Sequence, residues 1–208
     1  QTNNYTYPSC EGIAGNGGSW TQCSVDDVAF AAELVTEVSA NLCIDVQRVY
    51  AVGGSNGGMY VWDLGRDSRT AEVFTAVAAI IGLPHRGFLD SPVMEGGMPA
   101  ISVTGTRDRT VPPGEWEQET FTTTSDGDVY YYASASAITK VWADAQSCDT
   151  SMPAAPIDVG RAGMECRGWS YCQSDSKWPP VLDCRGDMGH MYNLSTSWPL
   201  ILDFFEQL

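Results

Sequence analysis

The chain has 208 residues, 43% of them hydrophobic, and a formal net charge of −15. That length and apolar content suit one globular domain over residues 1–208, and no apolar run approaches the roughly 18 residues needed to cross a membrane. With 26 acidic side chains against 11 lysines and arginines, the surface repels phosphate backbones, which argues against a nucleic-acid partner. The acidity reads as a solubility feature rather than a binding site.

Residues 1–23 are rich in Gly, Asn, Ser and Cys and read as loop, with a strand end near Tyr5-Thr6-Tyr7. The polar opening at Gln1, with no signal peptide, reads as a mature or trimmed chain. Ser24 stands where a helix cap is expected, and Asp26 and Asp27 fall in the first turn, where the helix dipole favours anions. Val28, Ala31, Val35, Val38 and Leu42 recur at helical spacing and carry this helix to about residues 41–43. A strand is expected over Arg48–Gly53, then a sharp turn at Ser55 and a helical stretch through Tyr60–Leu64. A second apolar run, Phe74–Leu83, reads as a buried parallel strand, followed by a Pro/Gly-rich loop over residues 84–98. A third strand, Ala100–Thr104, leads into Gly105-Thr106-Arg107-Asp108. A helix is expected over Ala133–Gln146, irregular structure over residues 149–180, a fourth strand over Val181–Cys184 leading to His190, and a last helix over Trp198–Phe205. Strands alternating with helices predict an α/β fold class, with a mostly parallel sheet covered by helices on both faces.

The seven cysteines are Cys10, Cys23, Cys43, Cys148, Cys166, Cys172 and Cys184. They form no paired CxxC clusters, and with only two histidines no metal site is expected. Disulfides are the better reading, and they imply an oxidising compartment and a secreted, extracellular protein. An odd count leaves one thiol unpaired or paired outside this chain. Asn4-Tyr5-Thr6 and Asn193-Leu194-Ser195 are N-glycosylation sequons, which make Asn4 and Asn193 candidate glycan acceptors.

Residues 49–59 read VYAVGGSNGGM, a Gly-x-Ser-x-Gly pentapeptide between a β-branched strand and a helix. That context holds a serine hydroxyl clear of the backbone at the carboxyl edge of a sheet. The turn demands strained backbone angles and small neighbours, a need that Gly53, Gly57 and Gly58 meet; the bland alternative is a Gly-rich turn with a capping serine. A serine hydroxyl needs an imidazole to take its proton and a carboxylate to orient that imidazole. His190 follows a strand and a Gly-containing turn, at the edge where Ser55 opens, whereas His85 reads as an exposed loop histidine. Asp108 ends a buried strand on the same edge. Asp63, Asp67 and Asp90 are further candidates, and Asp187 is too near His190 in sequence to orient it. Arg107 and Arg109 flank Asp108, either keeping it ionised or serving as surface charges. The order Ser55, Asp108, His190 is that of α/β-hydrolases. Trp20, Trp116, Trp169 and Trp178 lie in expected loops, where they could stack on sugar rings or a phenolic acid, or pack over a disulfide-rich surface.

The segments VDDVAFAAELVTEV, CIDVQRVYAVGGSNGGM, VTGTRDRTVPPGE and GDMGHMY resemble the secreted esterases of the polyhydroxybutyrate depolymerase and feruloyl/acetylxylan esterase group, over most of residues 20–208. The resemblance implies an α/β-hydrolase fold, with Ser55 as nucleophile, Asp108 as orienting acid, His190 as general base and the amide of Asn56 as one oxyanion donor. It implies a serine esterase without cofactor, acting on feruloyl or acetyl esters of cell-wall polysaccharide, or alternatively on hydroxybutyrate esters. In that group a second oxyanion donor and the first strands of the sheet lie upstream of the nucleophile, and this chain holds no such loop before Ser55. Three expectations follow: a separate amino-terminal fragment of the same protein, donation from Gly15–Gly18 instead, or a minimal fold with weak activity. A hydrolase scaffold kept as a non-catalytic extracellular binding module is the reading from another class.

Overall fold

The computed structural model describes residues 26–85, 88–90, 93, 97–114, 120–123, 127, 129–172 and 176–208. Helix α1 spans Asp27–Asn41, strand β1 Tyr50–Gly54, helix α2 Asn56–Arg66, β2 Ala76–Ile80 and β3 Ala100–Gly105. A hairpin of β4, Thr120–Thr123, and β5, Val129–Tyr132, precedes helix α3, Ala135–Ala145. Strands β6, Ala155–Ile157, β7, Met164–Gly168, and β8, Val181–Gly186, lead to helix α4, Leu194–Glu206.

Six strands form one sheet in the order β1-β2-β3-β8-β7-β6. β1, β2, β3 and β8 are parallel, and β7 runs antiparallel to both β8 and β6. β2 reads AVAAI and is buried at every position, as a strand must be when both faces of its sheet are covered. Val77 and Ala79 face a core shared with α1, α2 and α3. Ala76, Ala78 and Ile80 face a second core built on Leu200, Ile201, Phe204 and Phe205 of α4. The expected mostly parallel sheet with helices on both faces is therefore present, as a mixed sheet with an antiparallel β7. Because the four parallel strands share a direction, their carboxyl ends lie along one edge, and the turns after β1, β3 and β8 all open there.

Several boundaries and elements differ from the sequence expectation. The cap of α1 is Asp26, whose carboxylate accepts from the Ala29 amide at 2.9 Å; Ser24 lies outside the described residues. β2 is shorter than Phe74–Leu83 because Ile81 takes a positive φ of 47° and breaks the extended run. α4 starts four residues before Trp198 and carries Pro199 inside it, at the loss of one helical hydrogen bond. The stretch over 149–180 is not wholly irregular: β6 and β7 lie in it. They are short, one contains Pro156, and Gly160 and Gly163 turn between them at positive φ, so no alternating pattern marks them. Cys166 lies opposite Cys184 in the β7–β8 ladder and is disulfide-bonded to it. Cys148 is bonded to Cys172, tying the end of α3 to the segment after β7. Among the described residues Cys43 is the free, exposed thiol, and Cys10 and Cys23 lie outside them. No helix among the described residues is long and apolar enough to cross a membrane.

Candidate active site

Ser55 sits between β1 and α2 with φ 53° and ψ −119°, a conformation that costs a non-glycine residue roughly 1–3 kcal/mol. Neighbouring backbone holds it there. The Ser55 amide donates to Ile80 O at 2.8 Å and the Met59 amide donates to Ser55 O at 3.1 Å. The fit around the turn is tight: a Cβ on Gly53 would stand 2.0 Å from Gly57 O, and one on Gly58 would stand 2.9 Å from Gly82 Cα. Gly57, expected to share this role, meets nothing within 4 Å among the described residues. Gly82 takes its place, since a Cβ there would come within 2.3 Å of Ser55 O. The signal for Gly82 was its position at the end of an apolar run, level with the turn on the neighbouring strand.

The imidazole of His190 reaches both partners. Its Nε2 lies 2.9 Å from Ser55 Oγ and its Nδ1 lies 2.7 Å from Asp108 Oδ2. The Asp108 side chain is fully buried and that of His190 three-quarters so. Asp108 Oδ1 accepts from the amides of Thr110 at 2.8 Å and Val111 at 2.9 Å, which leaves Oδ2 for the imidazole. A carboxylate only accepts, so Nδ1 carries the ring proton; Nε2 of the neutral ring is then an acceptor aimed at the serine hydroxyl. Asn56 opens α2, so its amide stands at the positive end of the helix beside Ser55.

The turns that carry Asp108 and His190 are joined backbone to backbone: Thr106 N donates to Gly186 O at 2.9 Å and Arg107 N to Met188 O at 3.0 Å. Arg107 turns its guanidinium to Asp187, 2.6 Å away and exposed, so it acts as a surface clasp between the two turns rather than as a partner of Asp108. The other carboxylates are engaged elsewhere. Asp63 pairs with Arg66, and burial raises its pKa despite that partner; Asp67 pairs with Arg69. The side chain of Asp90 lies outside the described residues.

His85 is not an exposed loop residue. It is fully buried, bridges to Tyr132 across the hairpin, and packs with its ring centroid 5.9 Å from Tyr130 and 5.4 Å from Tyr132. Burial pulls its pKa down to about 4, so it is neutral at pH 7. Burial, with Tyr130 and Asp108 behind it, pushes the Tyr132 hydroxyl up; the Asp108 charge is close enough to be felt there. The hairpin that places these rings was missed, although TFTT and VYYY are the Thr- and Tyr-rich composition of strands. Tyr192, also unforeseen, is half exposed and covers the end of β1: a Cβ on Gly54 would lie 2.1 Å from its Cε1.

Trp169 and Trp178 do not serve as exposed aromatic platforms. Their relative exposures are 5% and 6%, and they flank the β7 end and β8 start, at the sheet edge opposite Ser55, His190 and Asp108. Trp169 helps line a cavity of about 580 Å³ together with Lys140, Thr150 and Arg167, and Ser55, Asp108 and His190 are not among its lining residues. Trp20, Trp116, Gly15–Gly18 and Asn4 lie outside the described residues. Asn193 is exposed three residues after His190, and its side-chain oxygen accepts from Ser195 Oγ at 3.1 Å. Among the described residues no three His, Cys, Asp or Glu side chains group as a metal ion would require.

No protein-family model matches this chain, and no curated protein matches it either. What fold and site define is an α/β chain with a Ser–His–Asp arrangement at the carboxyl edge of its parallel strands.

Proposed function

We propose that this protein is a secreted serine ester hydrolase of the α/β-hydrolase type. The observation that carries the reading is the chain of contacts from Ser55 Oγ through His190 to Asp108, at 2.9 and 2.7 Å, on a strained strand-to-helix turn. In the proposed cycle His190 Nε2 takes the Ser55 proton as Oγ bonds to the ester carbonyl carbon. The carbonyl π pair moves to oxygen, where the Asn56 amide and the start of α2 meet the new charge. The tetrahedral intermediate collapses, its C–O bond to the alcohol breaks, and His190 returns the proton to the leaving alkoxide. Water, deprotonated by His190, then attacks the acyl-enzyme and releases the acid and free Ser55. Asp108 orients the imidazole throughout. The two disulfides support secretion.

For the substrate, the sequence resemblance favours feruloyl or acetyl esters of cell-wall polysaccharide over hydroxybutyrate esters. The test is direct. Ser55→Ala should abolish p-nitrophenyl acetate hydrolysis and labelling by a fluorophosphonate probe, and rates on methyl ferulate, acetylated xylan and hydroxybutyrate oligomers then rank the substrates. Labelling that persists in Ser55→Ala would overturn the assignment.

A further inference from the structure

Asp183 and Arg185 lie two residues apart on β8 and so project from the same face. Asp183 is fully buried, and Arg185 is 9% exposed. They meet at two points: Arg185 Nη2 donates to Asp183 Oδ2 at 2.9 Å and Nε to Oδ1 at 3.3 Å. The remaining nitrogen, Nη1, donates to Gly114 O at 2.7 Å. Gly114, at φ 74°, ends the Pro112-Pro113 turn that follows Asp108.

Asp108 must be fixed in two respects. Its carboxylate is set relative to its own turn by the Thr110 and Val111 amides, which are local. The turn must also be set relative to the strand that carries His190. At the near end the Thr106 and Arg107 amides do this by bonding to Gly186 and Met188. At the far end Pro113 O accepts from the Ala135 amide of α3 at 3.0 Å, and Gly114 O accepts from Arg185, on the strand that leads to His190. An arginine held at two points by a buried carboxylate has little freedom to follow a moving carbonyl. A buried ion pair is weak evidence for stability, because well-packed apolar groups often replace it at no loss; a fixed direction for the third donor is what apolar groups cannot supply.

We propose that Arg185, oriented by Asp183, is a positioning residue that holds the Asp108 turn in register with His190. The proposal rests on the triad reading above. Burial raises the Asp183 pKa, with Arg185 and, more weakly, Arg167 opposing it.

The test is a double-mutant cycle on p-nitrophenyl acetate, in the parent and in Asp108→Asn. Arg185→Met alone strands a buried carboxylate and risks misfolding, so the apolar pair Asp183→Leu with Arg185→Met is used, and Arg185→Lys serves as a second, milder variant. In the parent the apolar pair should lower kcat by on the order of 10- to 100-fold at little-changed KM, and Arg185→Lys, which exchanges the fixed planar fork for a rotatable ammonium, should fall between. In Asp108→Asn the same changes should alter kcat less than about twofold, because the group they position is already lost. Equal losses in both backgrounds, or kcat within about twofold of the parent, would overturn the positioning role and leave the triad standing. Full activity in Asp108→Asn would overturn both.

Discussion

Gly82→Ala tests the link between packing and the proposed catalysis most directly, because a Cβ there meets backbone only and no side chain of Ser55, Asp108 or His190. A Cβ there would stand 2.3 Å from Ser55 O, 2.6 Å from Gly58 Cα and 2.9 Å from Gly58 C. All three are backbone atoms, so no rotamer change relieves the contact. Ordinary van der Waals contact begins near 3.4 Å, so the turn must retreat by roughly 1 Å from β2. Overpacking of this kind costs about 1–3 kcal/mol, which the fold of a 208-residue chain can absorb with a Tm lowered by a few degrees. The Ser55 to His190 contact of 2.9 Å cannot absorb it, since a displacement of about 1 Å at a reacting centre costs on the order of 100-fold in rate. The assay is kcat on p-nitrophenyl acetate beside the rate of fluorophosphonate labelling, with thermal unfolding as control. Both rates should fall together by about 100-fold while the melt stays cooperative. A folded Gly82→Ala protein with parental rates would refute the reasoning, as it would show that the turn yields without moving the hydroxyl.

The buried His85 makes stability depend on pH. Its pKa is about 4 in the native protein against 6.5 as the ordinary value, so from pH 6.5 downward the unfolded chain binds a proton that the native state refuses. Stability present above pH 6.5 is lost at about 1.4 kcal/mol per pH unit, roughly 3 kcal/mol by pH 4, and no further below. Urea melts across this window should show a shallower acid slope for His85→Phe than for the parent, and equal slopes would contradict the assignment. Tyr192→Ala removes the ring lying over Gly54 and should raise KM several-fold for aryl esters with the labelling rate of Ser55 little changed; an unaltered KM would exclude Tyr192 as a substrate contact.

What the sequence made legible has a physical pattern. The turn at Ser55 was readable because its chemistry is local: a β-branched strand, small residues and a helix start occur within eleven consecutive residues. Strand β2 was readable because burial on both faces leaves an uninterrupted apolar run, AVAAI. The contacts that finish the site are not local. Gly82 matters only because β2 pairs beside β1 in the register Gly54–Ile80, and Arg185 only because β8 pairs beside β3 in the register Thr104–Arg185. Arg185 and Asp183 read as ordinary strand residues until the ladder brings Gly114 over them. His85 was misread for a similar reason, since the hairpin that buries it lies more than thirty residues further along the chain.

The path of one loop accounts for two further glycines. Ser55 follows β1 and His190 follows β8, and in the order β1-β2-β3-β8 these strands are three places apart, about 14 Å at ordinary strand spacing. Asp108 lies in the turn after β3, which is adjacent to β8, so the contact from Asp108 to His190 needs only neighbouring turns. The contact from His190 to Ser55 needs the segment after β8 to travel back across the sheet edge. That crossing requires a low floor. A Cβ on Gly105, at the end of β3, would strike Met188 O at 2.3 Å, and one on Gly54, at the end of β1, would strike Tyr192 Cε1 at 2.1 Å. The two glycines therefore mark where the loop sets off and where it lands. The two clashes differ in kind: at Gly105 the loop meets backbone, and at Gly54 it meets a half-exposed side-chain ring. A side chain at Gly105 would thus lift the whole segment and lengthen the Ser55–His190 contact, whereas one at Gly54 would turn the ring aside and leave that contact in place.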